Sequence, residues 1–142
     1  MPGLDSYAII QAPVALYQTA THVEGGCSVS GHNHELSRTL AGQGRELRRL
    51  IPTVYEGFNQ LSAAAMTEGA LDSGTKELIA LALAVQSQCD GCISAHARNT
   101  AREGVTRQAV AEMLGVTIMM GGGPGTVYAP RALAAFDEFS AT

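Results

Sequence analysis

Residues 76–104 read KELIALALAVQSQCDGCISAHARNTAREG, and the fold turns on how this stretch is parsed. After Glu77 the run LIALALAV is apolar without interruption and free of Gly and Pro. That pattern predicts a helix from Lys76 to about Ser87, buried on every side rather than along one stripe. A second helix is expected from near Asp90 to Arg102, with Asp90 suited to cap it and Gly104 to stop it. Between them, Gln86 to Gln88 is either a break or a continuation. One straight helix over 76–96 would put Glu77 about 18 Å along the axis from Cys89, at a rise of 1.5 Å per residue. A reversal near Gln86 to Gln88 would bring the Glu77 carboxylate close to His96.

Outward from this segment the chain stays helical. Pro52 suits a first helical turn, and Val54, Phe58, Leu61 and Ala65 follow at helical spacing. Gly69 to Gly74 marks a break, after which Asp72 or Ser73 can cap. Thr106 is placed to cap a helix carrying Val110, Met113, Leu114 and Ile118. The run Gly121-Gly122-Gly123-Pro124-Gly125 must end that helix, and a last one holds Ala132, Leu133, Phe136 and Phe139. This glycine run lacks the Lys-Ser/Thr and the preceding strand of a phosphate loop. No segment alternates as a strand does, and no repeat has a fixed period. The expected class is all-α.

Residues 1–45 differ in character from the rest. Residues 1–20 mix apolar residues with Pro2, Gly3 and Pro13, and residues 21–34 are rich in Gly, Ser and His. A helical stretch from about Glu35 is expected to be interrupted by Gly42 and Gly44, each costing about 1 kcal/mol relative to Ala. The division expected is therefore an N-terminal arm over 1–45, loosely held or packed in oligomer contacts, and a helical domain over 46–142. Cys27, His32 and His34, with His22 nearby, fit no regular metal-ligand spacing.

Composition narrows the function classes. The 142 residues are 46% hydrophobic and 15% charged, with net charge −4. A small domain so apolar and so sparsely charged is expected to hide surface against copies of itself. The arginines between Arg38 and Arg49 sit among neutral and acidic neighbours, so no basic face for nucleic acid is expected. No apolar run reaches the roughly 18 to 20 residues that span a bilayer. Asp5 and the lack of an early Lys or Arg argue against a secretory signal. Three cysteines make a poor disulfide framework, and in the cytoplasmic setting expected here a close pair is catalytic or metal-binding.

That pair is Cys89 and Cys92, with His96 beyond. At about 100° per residue all three side chains share one helix face, and i, i+3 spacing brings the cysteine Cα atoms to about 5 to 6 Å, within disulfide range. Only a thiolate attacks, and a helix N-terminus with an imidazole one turn on favours it. The blander readings are two inert buried thiols, a first-turn carboxylate at Glu77 and a surface His96. Zinc is another rival, since Cys89, Cys92, His96 and Glu77 offer four ligands. Structural zinc sites draw on two separated ligand pairs, however, and no second CxxC or HxxxH is present.

The spacing from Glu77 through Cys89-x-x-Cys92-x-x-x-His96 to Gly104, then the GGGPG turn and a final helix, resembles the alkylhydroperoxidase D branch of the carboxymuconolactone decarboxylase-like family. The resemblance covers about residues 51–139. It implies an all-helical fold assembled as a homotrimer or homohexamer, and peroxidase or disulfide-reductase activity without metal or organic cofactor. It implies that Cys92 attacks the peroxide and becomes a sulfenic acid, that Cys89 condenses with it, and that a dithiol partner, in one branch a lipoyl-bearing protein, reduces the bridge. Glu77 and His96 are then a proton relay towards Cys92. One departure is Gly91, where that branch tends to carry histidine. The expected function is a thiol-dependent, peroxiredoxin-type peroxidase in antioxidant defence. The alternatives are a general dithiol–disulfide oxidoreductase or redox sensor, and a zinc-held assembly module without catalysis.

Overall fold

The computed structural model describes residues 31–141. Among them every regular element is a helix: α1 (His32–Leu50), α2 (Pro52–Met66), α3 (Ser73–Gln86), α4 (Asp90–Arg102) and α5 (Arg107–Ser140). The all-α expectation is met. Residues 1–30, which carry Cys27 and His22, lie outside the described residues.

Helix starts follow the capping residues. The Asp72 carboxylate accepts from the Thr75 N–H at 2.6 Å and opens α3, and the Thr106 hydroxyl accepts from the Ala109 N–H at 3.2 Å and opens α5. Pro52 occupies the first turn of α2. The α3–α4 junction is a tight reversal. Gln88 takes a left-handed φ of 54°, the Gln88 N–H donates to the Val85 carbonyl, and the Cys89 N–H reaches back to the Ala84 carbonyl. These paired bonds satisfy the last carbonyls of α3 and turn the chain sharply. Gly104, at φ 69°, ends α4 in the same manner.

The core lies among α3, α4 and α5. Leu81, Val85, Ile93, Ala97, Val110, Ala132 and Phe136 are buried there. The larger of these side chains, Leu81, Val85, Ile93, Val110 and Phe136, each contribute about 1.5–3 kcal/mol. The expected all-round burial of α3 does not hold within one chain: Glu77, Leu81, Ala84 and Val85 are buried, whereas Ile79 is 47% and Leu83 62% exposed. The reason is positional, because α4 and α5 cover only one side of α3. Along α2, Val54, Phe58 and Leu61 are likewise exposed.

The glycine run behaves as expected, though with great economy. Helical hydrogen bonding spans Arg107–Ser140, but Gly122, at φ 59° and ψ −136°, breaks it into two segments. Only glycine adopts that conformation without strain.

The expected interruption at Gly42 and Gly44 is absent, and α1 crosses position 45 without a break. Tertiary contacts outweigh the glycine penalty. The N-terminus of α1 has no capping side chain of its own. Glu138 of α5 supplies one, accepting from the Asn33 N–H and Nδ2 at 3.2 and 2.9 Å and from the His34 N–H at 2.9 Å. The His34 ring stands edge-on to Phe139, centroids 4.6 Å apart. Further along, the Ser94 hydroxyl of α4 donates to the Asn33 carbonyl at 3.1 Å and lies 2.9 Å from the Ser37 hydroxyl.

Burial alone would push the Glu138 carboxyl up. The hydrogen bonds from Asn33 and His34, with the charge of His34, outweigh it and hold the group below the ordinary glutamate range. A carboxyl held lower in the folded than in the unfolded chain adds stability that is complete above the unfolded value and is lost as pH falls through the folded one. Glu138→Ala is therefore expected to lower stability by about 1–2 kcal/mol at pH 7, the scale of a lost N-cap. The deficit should shrink at acid pH, as the parent's carboxyl takes up its proton below the ordinary glutamate range. Urea midpoints at the two pH values check this. Equal midpoints at pH 7 would show that the carboxylate does nothing for α1.

Candidate functional site

The α3–α4 reversal builds the site. Cys89, not Asp90, is the N-cap of α4: its Sγ accepts from the Cys92 N–H at 3.3 Å. The cap is a sulfur because the reversal ends one residue earlier than the sequence pattern suggested, so that α4 already begins at Asp90. Cys92 then sits in the first turn of α4, where free N–H groups and the positive end of the helix dipole gather. Cys89 and Cys92 are joined as a disulfide with Cα atoms 5.2 Å apart, as the spacing allowed. Cys92 is exposed and Cys89 half-buried, so an external reagent meets Cys92 first.

Asp90 has a different role from the one expected of it. Its carboxylate pairs with the Arg131 guanidinium of α5 at 3.1 Å, and that guanidinium also lies 5.0 Å from the centre of the Tyr128 ring. A carboxylate beside two sulfurs would oppose a thiolate, and a guanidinium against it offsets that field. Gly91 lies beneath α1: a Cβ there would come within 2.7 Å of Leu40 Cδ1. A side chain at position 91 therefore requires Leu40 to move. Whatever occupies this corner in the alkylhydroperoxidase D branch, here α1 fills it.

The reversal also decides Glu77. Its Oε2 lies 2.7 Å from His96 Nδ1, so α3 and α4 meet side by side at this point and the straight-helix alternative is excluded. The Glu77 side chain is nearly buried and that of His96 about one-third exposed, at 9% and 32%. The second carboxylate oxygen, Oε1, accepts from Asn99 Nδ2 at 3.1 Å. A buried carboxylate needs such partners on both oxygens. With Nδ1 engaged by Glu77, Nε2 is the edge of the imidazole left for other chemistry. His96 follows Cys92 by four residues on α4, which places them on one helix face.

Of the four ligands imagined for zinc, two sulfurs are bonded to each other, and His96 Nδ1 and Glu77 engage one another. Among the described residues no group of three or more His, Cys, Asp or Glu side chains is arranged to hold a metal ion. No helix among them is long and apolar enough to cross a membrane. His32 and His34 lie at the start of α1, and His34 is turned to Phe139.

Asn99, Arg131 and Leu40 at this site were not singled out from the sequence. Asn99 follows His96 by three residues, so helical spacing alone could have found it. Arg131 and Leu40 arrive from distant elements and carry no local signal.

Fold and site together define an all-helical protein with a bridged cysteine pair at a helix N-terminus and a Glu–His pair alongside. Residues 52–135 match the carboxymuconolactone decarboxylase family. The chain belongs to that family. An uncharacterized protein of Cupriavidus necator is 46% identical over 90 residues, covering 63% of this chain and 80% of that protein. The uncharacterized protein 4 in the cox locus of Paracoccus denitrificans is 38% identical over 93 residues, covering 66% and 84% respectively. The crystal structure of apo-lpg0406, a carboxymuconolactone decarboxylase family protein from Legionella pneumophila, superposes with a TM-score of 0.76 at 43% identity. The match covers 78% of this chain and 99% of that one.

Proposed function

We propose that this protein is a thiol-dependent peroxidase of the alkylhydroperoxidase D-like type, with Cys92 as attacking thiol, Cys89 as resolving thiol and Glu77–His96 as proton relay. The observation that carries the reading is the 2.7 Å Glu77–His96 contact on the helix whose first turn holds an exposed Cys92. In the reduced protein His96 Nε2 takes the Cys92 proton, and the thiolate attacks one peroxide oxygen. The O–O bond breaks, the alkoxide leaves as an alcohol with the relayed proton, and Cys92 becomes a sulfenic acid. The Cys89 sulfur then displaces hydroxide, which departs as water, and closes the disulfide. A dithiol, with a lipoyl-bearing protein as one candidate, attacks the bridge, is itself oxidised, and restores both thiols.

A general dithiol–disulfide oxidoreductase or redox sensor is the second reading, favoured by Gly91. No imidazole precedes Cys92, and Leu40 covers that position. Assembly as a homotrimer or homohexamer belongs to the proposal, supported by the exposed apolar side chains of α2 and α3 together with Val116, Met119 and Met120 of α5. So does a cytoplasmic setting, where a cycling disulfide has reductant to hand.

The test is a thiol count on reduced protein before and after one equivalent of peroxide, with mass mapping of the product. Of the three cysteines, Cys89 and Cys92 should disappear together into one bridge while Cys27 stays free. Slow loss, with facile oxidation by small disulfides, would favour the second reading. Unreactive thiols with near-stoichiometric zinc would overturn both.

A further inference from the structure

The Glu77–His96 pair is held by a third group that the relay as proposed does not use. Asn99 sits one turn beyond His96 on α4, and its Nδ2 donates to Glu77 Oε1 at 3.1 Å while Oε2 meets His96 Nδ1. A carboxylate on a side chain with several rotatable bonds can present either oxygen, or swing away. Two contacts from one helix, three residues apart, remove that freedom. We propose that Asn99 is the positioning residue of this site: by gripping Oε1 it aims Oε2 at His96 Nδ1, and so leaves Nε2 as the working edge of the imidazole.

The inference rests on the relay reading and deepens it. An amide nitrogen only donates, so the oxygen facing Asn99 serves purely as acceptor. Exchange between Glu77 and the imidazole is thereby confined to the Oε2–Nδ1 contact. Take the amide away, and Oε1 becomes a nearly buried acceptor without a partner. Glu77 can then meet that need only by rotating towards solvent or another donor, at the expense of its aim on His96. Thr100 completes the arrangement from below, its hydroxyl donating to the His96 carbonyl at 2.7 Å, so the imidazole is borne on a constrained turn. The Asn99 side chain bonds to Glu77 and not to either sulfur, so its influence passes through Glu77.

The experiment uses the reduced full-length protein. The rate of Cys92 alkylation by iodoacetamide is followed against pH, with the modified peptide identified by mass, and thermal melting is recorded alongside. Two variants are compared with the parent. Asn99→Asp is nearly isosteric but exchanges the donor for an acceptor, and Asn99→Ala removes the contact without adding charge. Both should slow Cys92 alkylation at neutral pH by about ten- to a hundredfold, the scale on which a misplaced group slows a reaction. They should then separate. As pH falls, the carboxyl of Asn99→Asp gains a proton and can again donate to Oε1, so its deficit against the parent narrows, whereas the deficit of Asn99→Ala does not. A purely structural Asn99 predicts lowered melting with the parental alkylation profile, and that result overturns the inference while leaving the peroxidase reading intact. A parent whose Cys92 reacts across pH as an ordinary free thiol overturns both.

Discussion

Cys92→Ser is expected to reduce peroxide turnover to background, and Cys89→Ser to stop turnover after one event with a sulfenic acid held at Cys92. The asymmetry follows from position. Cys92 lies in the first turn of α4 and is exposed, while Cys89 is its half-buried N-cap. Serine at 92 keeps the shape but not the nucleophile: a hydroxyl does not form a sulfenic acid, and no route to the bridge remains. Serine at 89 leaves the attacking sulfur and its imidazole in place and removes only the partner for condensation. Its oxygen is also a fair substitute acceptor for the Cys92 N–H, so α4 should keep its start and the variant its fold. A dimedone adduct mapped to Cys92 in the Cys89 variant, stoichiometric after one equivalent of peroxide, is the expected product. Turnover retained by Cys92→Ser, or an adduct at Cys27 instead, would remove Cys92 from the reaction.

How much of this was visible in the residues depends on the range of the interaction that decides each feature. Caps and stops are local, and Asp72, Thr106, Gly104 and the glycine run at 121–125 act where the pattern placed them. The closeness of Cys89 and Cys92 was legible for the same reason, since a separation of three residues at a helix start is short enough to bridge whatever the rest of the fold does. The α3–α4 reversal was not decided by sequence, because it runs through a left-handed Gln88 rather than a glycine. Such a turn is held by the Val85 and Ala84 carbonyls and by the packing of both helices, and carries no residue-type flag. Two errors came from treating segments alone. The apolar run of α3 is two-sided in composition, but one chain covers only one side. The glycines of α1 weaken a solitary helix, yet Glu138 and Ser94 hold this one from outside. Contacts at separations above fifty residues, such as Asn33 with Glu138 or Leu40 over Gly91, leave no mark on a single sequence.

Glu77→Gln is expected to slow the reaction of Cys92 with peroxide by about a hundredfold or more, the scale of a lost general acid–base partner. The substitution preserves volume, so core packing around Leu81 and Val85 should persist and melting should change little beside the kinetic effect. What it changes is hydrogen-bond character. Glu77 accepts on both oxygens, one from the imidazole side and one from Asn99. An amide offers a single acceptor and sets an NH2 group at the other position. If its oxygen stays with Asn99, its nitrogen faces His96 Nδ1, so Nδ1 must serve as acceptor and the ring proton moves to Nε2. The edge that should receive the Cys92 proton is then already occupied. The decisive measurement is a double-mutant cycle with His96→Ala. Two groups 2.7 Å apart that act as one relay should be strongly non-additive, so that the double variant is scarcely slower than His96→Ala alone. Effects that simply multiply would mean that Glu77 and His96 influence Cys92 by separate routes. The hydrogen bond between them would then be a packing feature of the α3–α4 hairpin rather than a path for protons.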